Sequence, residues 1–237
     1  MTTQENMKPT RKTAIIVGIL FITATIASIL GYQVILQPIL NAPDYLSNIS
    51  GNETQFVLGV LIDSINTIAV VVIAVMLFPI LKKYNEALAL GYVGFRILES
   101  VILIIGSIGL LTLLSLSQDY SQATSPDTFY YQTLGDLLLA VNGWTYLLGP
   151  MIVLSLTALI LNYILYQSRP VPRFISVWGL VGAFLMLAAG LLGMFGLSPF
   201  STIAILLIAP LALNEMVLAV WLIAKGFNSS AIAESEK

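Results

Sequence analysis

Long apolar runs separated by short polar segments form the main pattern along this chain. Six of these runs reach the length of about 20 residues that an α-helix needs to cross a bilayer, and each carries few charges. The pattern therefore predicts an all-α integral membrane protein that folds as a bundle of six transmembrane helices. The predicted spans are Thr13–Leu36, Gln55–Leu81, Ala87–Leu114, Leu137–Tyr166, Phe174–Phe195 and Ser201–Lys225.

The distribution of lysine and arginine over the connecting segments predicts the orientation of the chain. Nine of the ten lie before the first span, between the second and third, between the fourth and fifth, or after the sixth. Because positively charged loops stay in the cytoplasm, we expect both termini to be cytoplasmic. Residues 1–12 and 227–237 are then tails that flank a transmembrane domain of residues 13–226. The opposite segments contain no basic residue: 37–54, 115–136 and 196–200.

Composition agrees with this pattern and narrows the range of partners. Hydrophobic residues make up 58% of the 237 residues and charged residues only 9%, whereas soluble domains carry about 25% charged residues. The mean hydropathy is +0.94. The lipid bilayer is therefore the expected partner. The net charge of −2 offers no basic surplus for nucleic acid, and none is expected as a partner.

The absence of both Cys and His excludes several kinds of chemistry. Thiolate metal sites, disulfides, imidazole-ligated haem and Ser-His or Cys-His nucleophiles all need one of these residues. The Gly-rich loop that cradles nucleotide phosphates is also missing from the sequence. We therefore expect no metal and no cofactor. Any acid–base chemistry would have to use carboxylates, Tyr, Lys or Arg.

Four ionisable side chains lie inside the predicted spans, and such residues are candidate functional sites. An arginine and an acidic residue near the centre of one helix together cost about 5–7 kcal/mol on an insertion scale. The third span, which carries Arg96 and Glu99, therefore needs polar partners from other helices. A rise of about 1.5 Å per residue places Arg96, Glu99 and Glu215 within about one helical turn in depth. Asp63 lies closer to the external face of the membrane.

These charged residues define a candidate pocket among the second, third and sixth helices. Arg96 and Glu99 are spaced i,i+3 and can pair on one helix, and the planar guanidinium can also reach Glu215. Tyr92 shares the helix face of Arg96, because four residues make about one turn. The candidate ligand-binding residues are Asp63, Asn66, Tyr92, Arg96, Glu99, Asn214 and Glu215.

Short motifs in three of the spans resemble a known bacterial family. They are Arg11–Ala14 at the start of the first helix, Phe95–Glu99 in the third, and Asn214–Glu215 followed by Ala219–Gly226 in the sixth. Together they resemble the membrane-protein family catalogued as domain of unknown function 4386, over nearly the whole chain. The resemblance implies a six-helix layout and a bacterial inner-membrane location. It implies no activity.

Three functions remain open at this point. The first is binding or carriage of a small solute or lipid-like molecule in the polar pocket. In the second, the charged cluster is an interhelical ionic staple in a structural or regulatory membrane subunit, because pairing alone explains a buried arginine. The third is an intramembrane enzyme that uses paired carboxylates, although the sequence contains no D-D-x-x-D motif and indicates no catalytic residue. The sequence predicts no particular oligomeric state.

Overall fold

A computed structural model describes residues 2–124, 127–199 and 201–228, with side chains from residue 10 onward. Over these residues the chain is helical and contains no β-strand. The elements are α1 (Thr2–Ser28), a π-helical segment (Ile29–Leu36), α2 (Gln37–Leu40), α3 (Tyr45–Gly51), α4 (Glu53–Leu81), α5 (Glu86–Gln122), α6 (Thr128–Tyr146), a second π-helical segment (Leu147–Val153), α7 (Leu154–Ser168), α8 (Arg173–Met194) and α9 (Thr202–Ala224).

Six helices in the described part of the chain are long and apolar enough to cross a membrane, which confirms the predicted number of spans. Many large apolar side chains on them are exposed, as expected of helices that face lipid rather than water. The helical stretches are Thr10–Leu40, Glu53–Leu81, Glu86–Gln122, Thr128–Ser168, Arg173–Met194 and Thr202–Ala224.

The helices extend beyond several predicted span ends. Most of the segment 115–136, predicted as a loop, is helical, because α5 continues to Gln122 and α6 begins at Thr128. Hydropathy shows where a helix leaves the apolar layer, whereas backbone hydrogen bonding can continue into the polar layer. In the same way, α1 begins inside the predicted N-terminal tail. Of the predicted C-terminal tail, residues 229–237 lie outside the described residues.

Two stretches of π-helix interrupt the spans. Pro150 lies within Leu147–Val153, where its missing N–H and its ring prevent ordinary α-helical hydrogen bonding. In Ile29–Leu36, a Cβ on Gly31 would lie 2.6 Å from the backbone nitrogen of Asp63. Only glycine allows so close an approach of the two backbones.

The chain divides into two compact units, each with its own apolar core. The first comprises the described parts of Met1–Ile22, Ala69–Ser100 and Leu147–Lys237, and its core includes Tyr92 and Ile175. The second comprises Thr23–Ile68 and the described parts of Val101–Tyr146 and has a core of its own. That core includes Leu36, Phe56 and Leu113.

Within the first unit, α8 packs against both α7 and α9. The contact with α9 is so close that a Cβ on Gly182 would lie 2.8 Å from the backbone nitrogen of Leu211 and 2.9 Å from its Cα. Small residues at such positions let transmembrane helices approach backbone to backbone. The α8–α9 interface therefore depends on the absence of a side chain at Gly182.

We expect Gly182→Ala to destabilise the protein by about 1–3 kcal/mol, because backbone atoms cannot move aside as a flexible side chain would. Gly143→Ala is the matched control, since a Cβ there meets nothing within 4 Å and alanine favours helix by about 1 kcal/mol. Thermal or denaturant unfolding in detergent measures both. Equal effects of the two substitutions would contradict the close packing at Gly182.

Candidate functional site

One face of α5 presents Tyr92, Arg96 and Glu99 to the interior of the first unit. Nη1 of Arg96 donates a hydrogen bond to Oε2 of Glu99 over 3.1 Å, an i,i+3 ion pair. The guanidinium carbon lies 5.7 Å from the centre of the Tyr92 ring, within the range of a cation–π contact. All three residues are buried, with 0%, 2% and 3% of their surfaces exposed. The predicted pairing of Arg96 with Glu99 is therefore present.

The third member of the cluster, Glu215, comes from α9. Its Oε1 lies 3.6 Å from Nη2 of Arg96, an ionic contact that is too long for a good hydrogen bond. The Glu215 side chain is 20% exposed, whereas that of Arg96 is only 3% exposed. We refer to Tyr92, Arg96, Glu99 and Glu215 as the Arg96 cluster. Glu215 is its most accessible charged group.

The Arg96 cluster has a polar atom that its own members do not satisfy. Within the described residues, Nε of Arg96 is buried and has no hydrogen-bond partner. The buried Tyr92 hydroxyl has the Arg96 side chain as its polar neighbour. About nine in ten buried polar groups in proteins are hydrogen-bonded. Arginine carries five N–H donors, so the fork can bind a further acceptor besides the two carboxylates. This arrangement could hold a polar molecule that carries both acceptors and donors.

Asn214, also a predicted pocket residue, is directed toward α8. Its Nδ2 donates to the carbonyl of Ile175 over 2.7 Å. Asn214 points away from its neighbour Glu215, because adjacent residues on a helix point about 100° apart. From α7, Asn162 packs against Gly179, one turn further along α8. Neither Asn162 nor the buried Ser176 is among the predicted site residues. An amide inside an apolar span is the signal that could have indicated Asn162.

Asp63 and Asn66, the remaining predicted residues, belong to α4 in the second unit, and both are partly buried. Asp63 interacts electrostatically with Tyr32 and Tyr146 of the same unit. Tyr32 stacks on Tyr146 with ring centres 5.4 Å apart. Its hydroxyl donates to Oδ1 of Asn142 over 2.7 Å. A polar cluster of Tyr and Asn side chains therefore accompanies Asp63 in the second unit.

Acidic residues are too dispersed over the described part of the chain to form a metal centre. No group of three or more Asp or Glu side chains there could hold a metal ion. In the Arg96 cluster, two carboxylates flank a guanidinium. The cluster can therefore offer hydrogen bonds and charge pairing to a bound molecule.

A protein-family model, described as a domain of unknown function, matches residues 16–226. The match covers nearly the whole membrane-spanning region together with the Arg96 cluster. The chain belongs to the DUF4386 family. This agrees with the resemblance seen in the sequence motifs. Comparisons with curated proteins and with solved structures found no match for this DUF4386 protein.

A double-mutant cycle in this DUF4386 protein tests the unequal geometry of the two ion pairs. We expect Arg96→Gln to cost about 3–5 kcal/mol, since it leaves buried carboxylates without their cation. The coupling of Arg96 with Glu99 should exceed that with Glu215, because the first contact is shorter and less exposed. Glu99→Gln, Glu215→Gln and the two double variants complete the cycle.

Equilibrium unfolding in detergent measures each free energy of unfolding. Lys82→Gln serves as the control, since this lysine is exposed and its loss should change stability by less than about 0.5 kcal/mol. Equal coupling of Arg96 to both acids would show that the 3.1 Å and 3.6 Å contacts do not differ in strength.

Proposed function

We propose that this protein binds or carries a small polar solute, or the polar part of a lipid-like molecule, at the Arg96 cluster. The observation that supports the proposal is the exposed fifth of the Glu215 side chain beside the buried Nε of Arg96, which lacks a hydrogen-bond partner among the described residues. A bound molecule would accept a hydrogen bond from Nε of Arg96. It would reach the Arg96 cluster from the exposed side of Glu215.

The depth of Glu215 indicates what its exposed surface faces. The residue lies about 14 Å from one end of α9 and about 20 Å from the other, at 1.5 Å per residue. Acidic side chains this deep in a membrane span almost always face the bundle interior or a water-filled cavity, because lipid does not solvate them. The exposed part of Glu215 therefore favours an opening that water and solutes can enter.

The charges of the cluster favour one class of ligand. Two carboxyl groups face one guanidinium, so the cluster offers no net positive charge to attract an anion. A neutral or cationic molecule with hydroxyl or amine groups could donate to Glu215. One of its oxygens could accept from Nε of Arg96. Asp63 and Asn66 lie in the second unit, and their part in ligand binding stays a prediction.

A structural role is the alternative, and the 3.6 Å contact between Arg96 of α5 and Glu215 of α9 favours it. Buried ion pairs can join helices without binding anything, and they fix which faces of the helices meet. In that case the cluster is a staple between α5 and α9. The two roles differ in whether water reaches Glu215.

Cysteine accessibility separates these roles, since the protein has no cysteine of its own. In lipid nanodiscs, we expect Glu215→Cys to react with a small water-soluble methanethiosulfonate reagent. Leu213→Cys, on the same helix and 58% exposed, should react much more slowly because it faces lipid. Ser176→Cys, fully buried, gives the unreactive baseline, and the exposed Ser121→Cys gives the reactive limit.

If Glu215→Cys is as unreactive as Ser176→Cys, the staple is correct and the binding proposal fails. Asp63→Cys extends the same measurement to the second unit. Its reaction would support the predicted inclusion of Asp63 in a water-accessible pocket, and its inertness would make Asp63 a packing residue.

The proposed setting is the bacterial inner membrane, with both termini in the cytoplasm. The asymmetry of nine basic residues on one set of segments and none on the other supports this orientation through the positive-inside rule. We expect a reporter fused after Lys237 to read as cytoplasmic. One inserted after Gln122, close to Asp119, should read as external. Activity of both reporters on the same side would overturn the six-span topology.

A further inference from the structure

A groove of about 370 Å³ lies where three membrane spans end. The turn between α7 and α8 forms one wall, and the last residues of α9 with the segment that follows form the other. Because spans end at the bilayer surface, the groove lies at the depth of lipid headgroups. Its lining residues are Arg169–Arg173, Trp221 and Lys225–Asn228.

The charge of this groove is entirely positive. Arg169, Arg173 and Lys225 line it and are exposed, and its lining contains no acidic residue. Across the part of the chain that the structure describes, none of the three is paired with a carboxylate. Arg173 instead lies over the Tyr166 ring, 5.2 Å from its centre. Three cations therefore converge where residues 2–124, 127–199 and 201–228 supply no carboxylate partner.

The negative end of α9 does not neutralise these cations. The last carbonyls of a helix carry a partial negative charge, but here a separate arginine binds them. Nη1 of Arg11 donates to the carbonyl of Leu222 over 2.9 Å, and Nη2 donates to that of Ile223 over 2.7 Å. Arg11 thus satisfies the helix end and leaves Lys225 available to an external anion.

The backbone around the groove is held in place. The N–H of Asn228 donates to the carbonyl of Pro170 over 2.8 Å, which joins the two walls. The side chains of Val171 and Phe227 are buried beneath them. Gly226 turns the chain with a φ of +74°, and a Cβ there would lie 2.8 Å from Nη1 of Arg11. Little ordering is therefore needed when a ligand binds.

We propose that this groove binds the headgroup of an anionic phospholipid. Arginine matches phosphate in a bidentate geometry, and basic pockets between membrane helices bind anionic headgroups in this way. The partly exposed Trp221 adds an amphipathic ring, which is typical of the membrane interface. The position at the span ends favours a lipid over a soluble anion, because the bilayer itself presents the headgroup there.

This binding is separate from the function proposed for the Arg96 cluster, since it uses none of those residues. Native mass spectrometry of the purified full-length protein in detergent can measure it. Phosphatidylglycerol and phosphatidylcholine are added at the same mole fraction, and inorganic phosphate is tested as a competitor. We expect phosphatidylglycerol to bind more tightly than phosphatidylcholine, with no displacement by millimolar phosphate.

Substitution should weaken phosphatidylglycerol binding only inside the groove. At about five-fold per basic residue, Arg169→Gln with Arg173→Gln should weaken it about 25-fold. Lys82→Gln with Lys83→Gln removes two exposed charges outside the groove and should leave binding within about two-fold. Arg169→Lys with Arg173→Lys keeps the charges but loses the bidentate fork, so it should weaken binding less than the glutamine pair does, and an intermediate affinity guards against misfolding as the cause.

Three results would overturn the inference. Equal binding of the two lipids would show that the headgroup charge is not recognised. An equal loss in the Lys82/Lys83 variant would indicate a general effect of net charge. Displacement by inorganic phosphate would show that the groove binds a soluble anion instead of a lipid.

Discussion

The cost of placing a guanidinium inside a bilayer is the constraint on which the first unit of this protein depends. Arg96 stays charged at any pH a cell experiences, so it must be paired within the bundle. Glu99 supplies the short contact from the same helix, and Glu215 supplies the longer one from α9. The charge thereby determines that α5 is an interior helix and that α9 lies beside it with Glu215 facing inward.

The two carboxylates balance the charge of Arg96, but they do not satisfy every N–H donor of its guanidinium. A staple that had only a structural role would gain from full hydrogen bonding, because each buried polar atom without a partner costs about 1–3 kcal/mol. The unpaired Nε of Arg96 is therefore a cost within the described structure. A bound polar molecule would offset it. This imbalance gives the binding role its physical basis.

The spans and the Arg96 cluster were predictable from sequence because both follow from simple periodicity. The length of an apolar run indicates a span. The i,i+3 spacing of Arg96 and Glu99, with Glu215 at a matching depth, indicates that the three charged residues meet. The π-helical segment at Ile29–Leu36 was not predictable, since it depends on the approach of Gly31 to a distant backbone. The partnership of Tyr32 with Asn142 likewise joins residues 110 positions apart. Such contacts arise from tertiary packing, which one sequence does not encode in a local pattern.

Both candidate sites rely on α9, and two arginines from other helices hold it. Arg96 contacts Glu215 within the span, while Arg11 binds the carbonyls at its end. Close backbone packing against α1 positions the rest of the helix. A Cβ on Gly18 of α1 would lie only 2.6 Å from the carbonyl oxygen of Ala219. Arg11 lies beside the groove without lining it, and it binds the α9 carbonyls that the neighbouring Lys225 could otherwise contact. The polar contacts that orient α9 also determine which charges remain available for ligands.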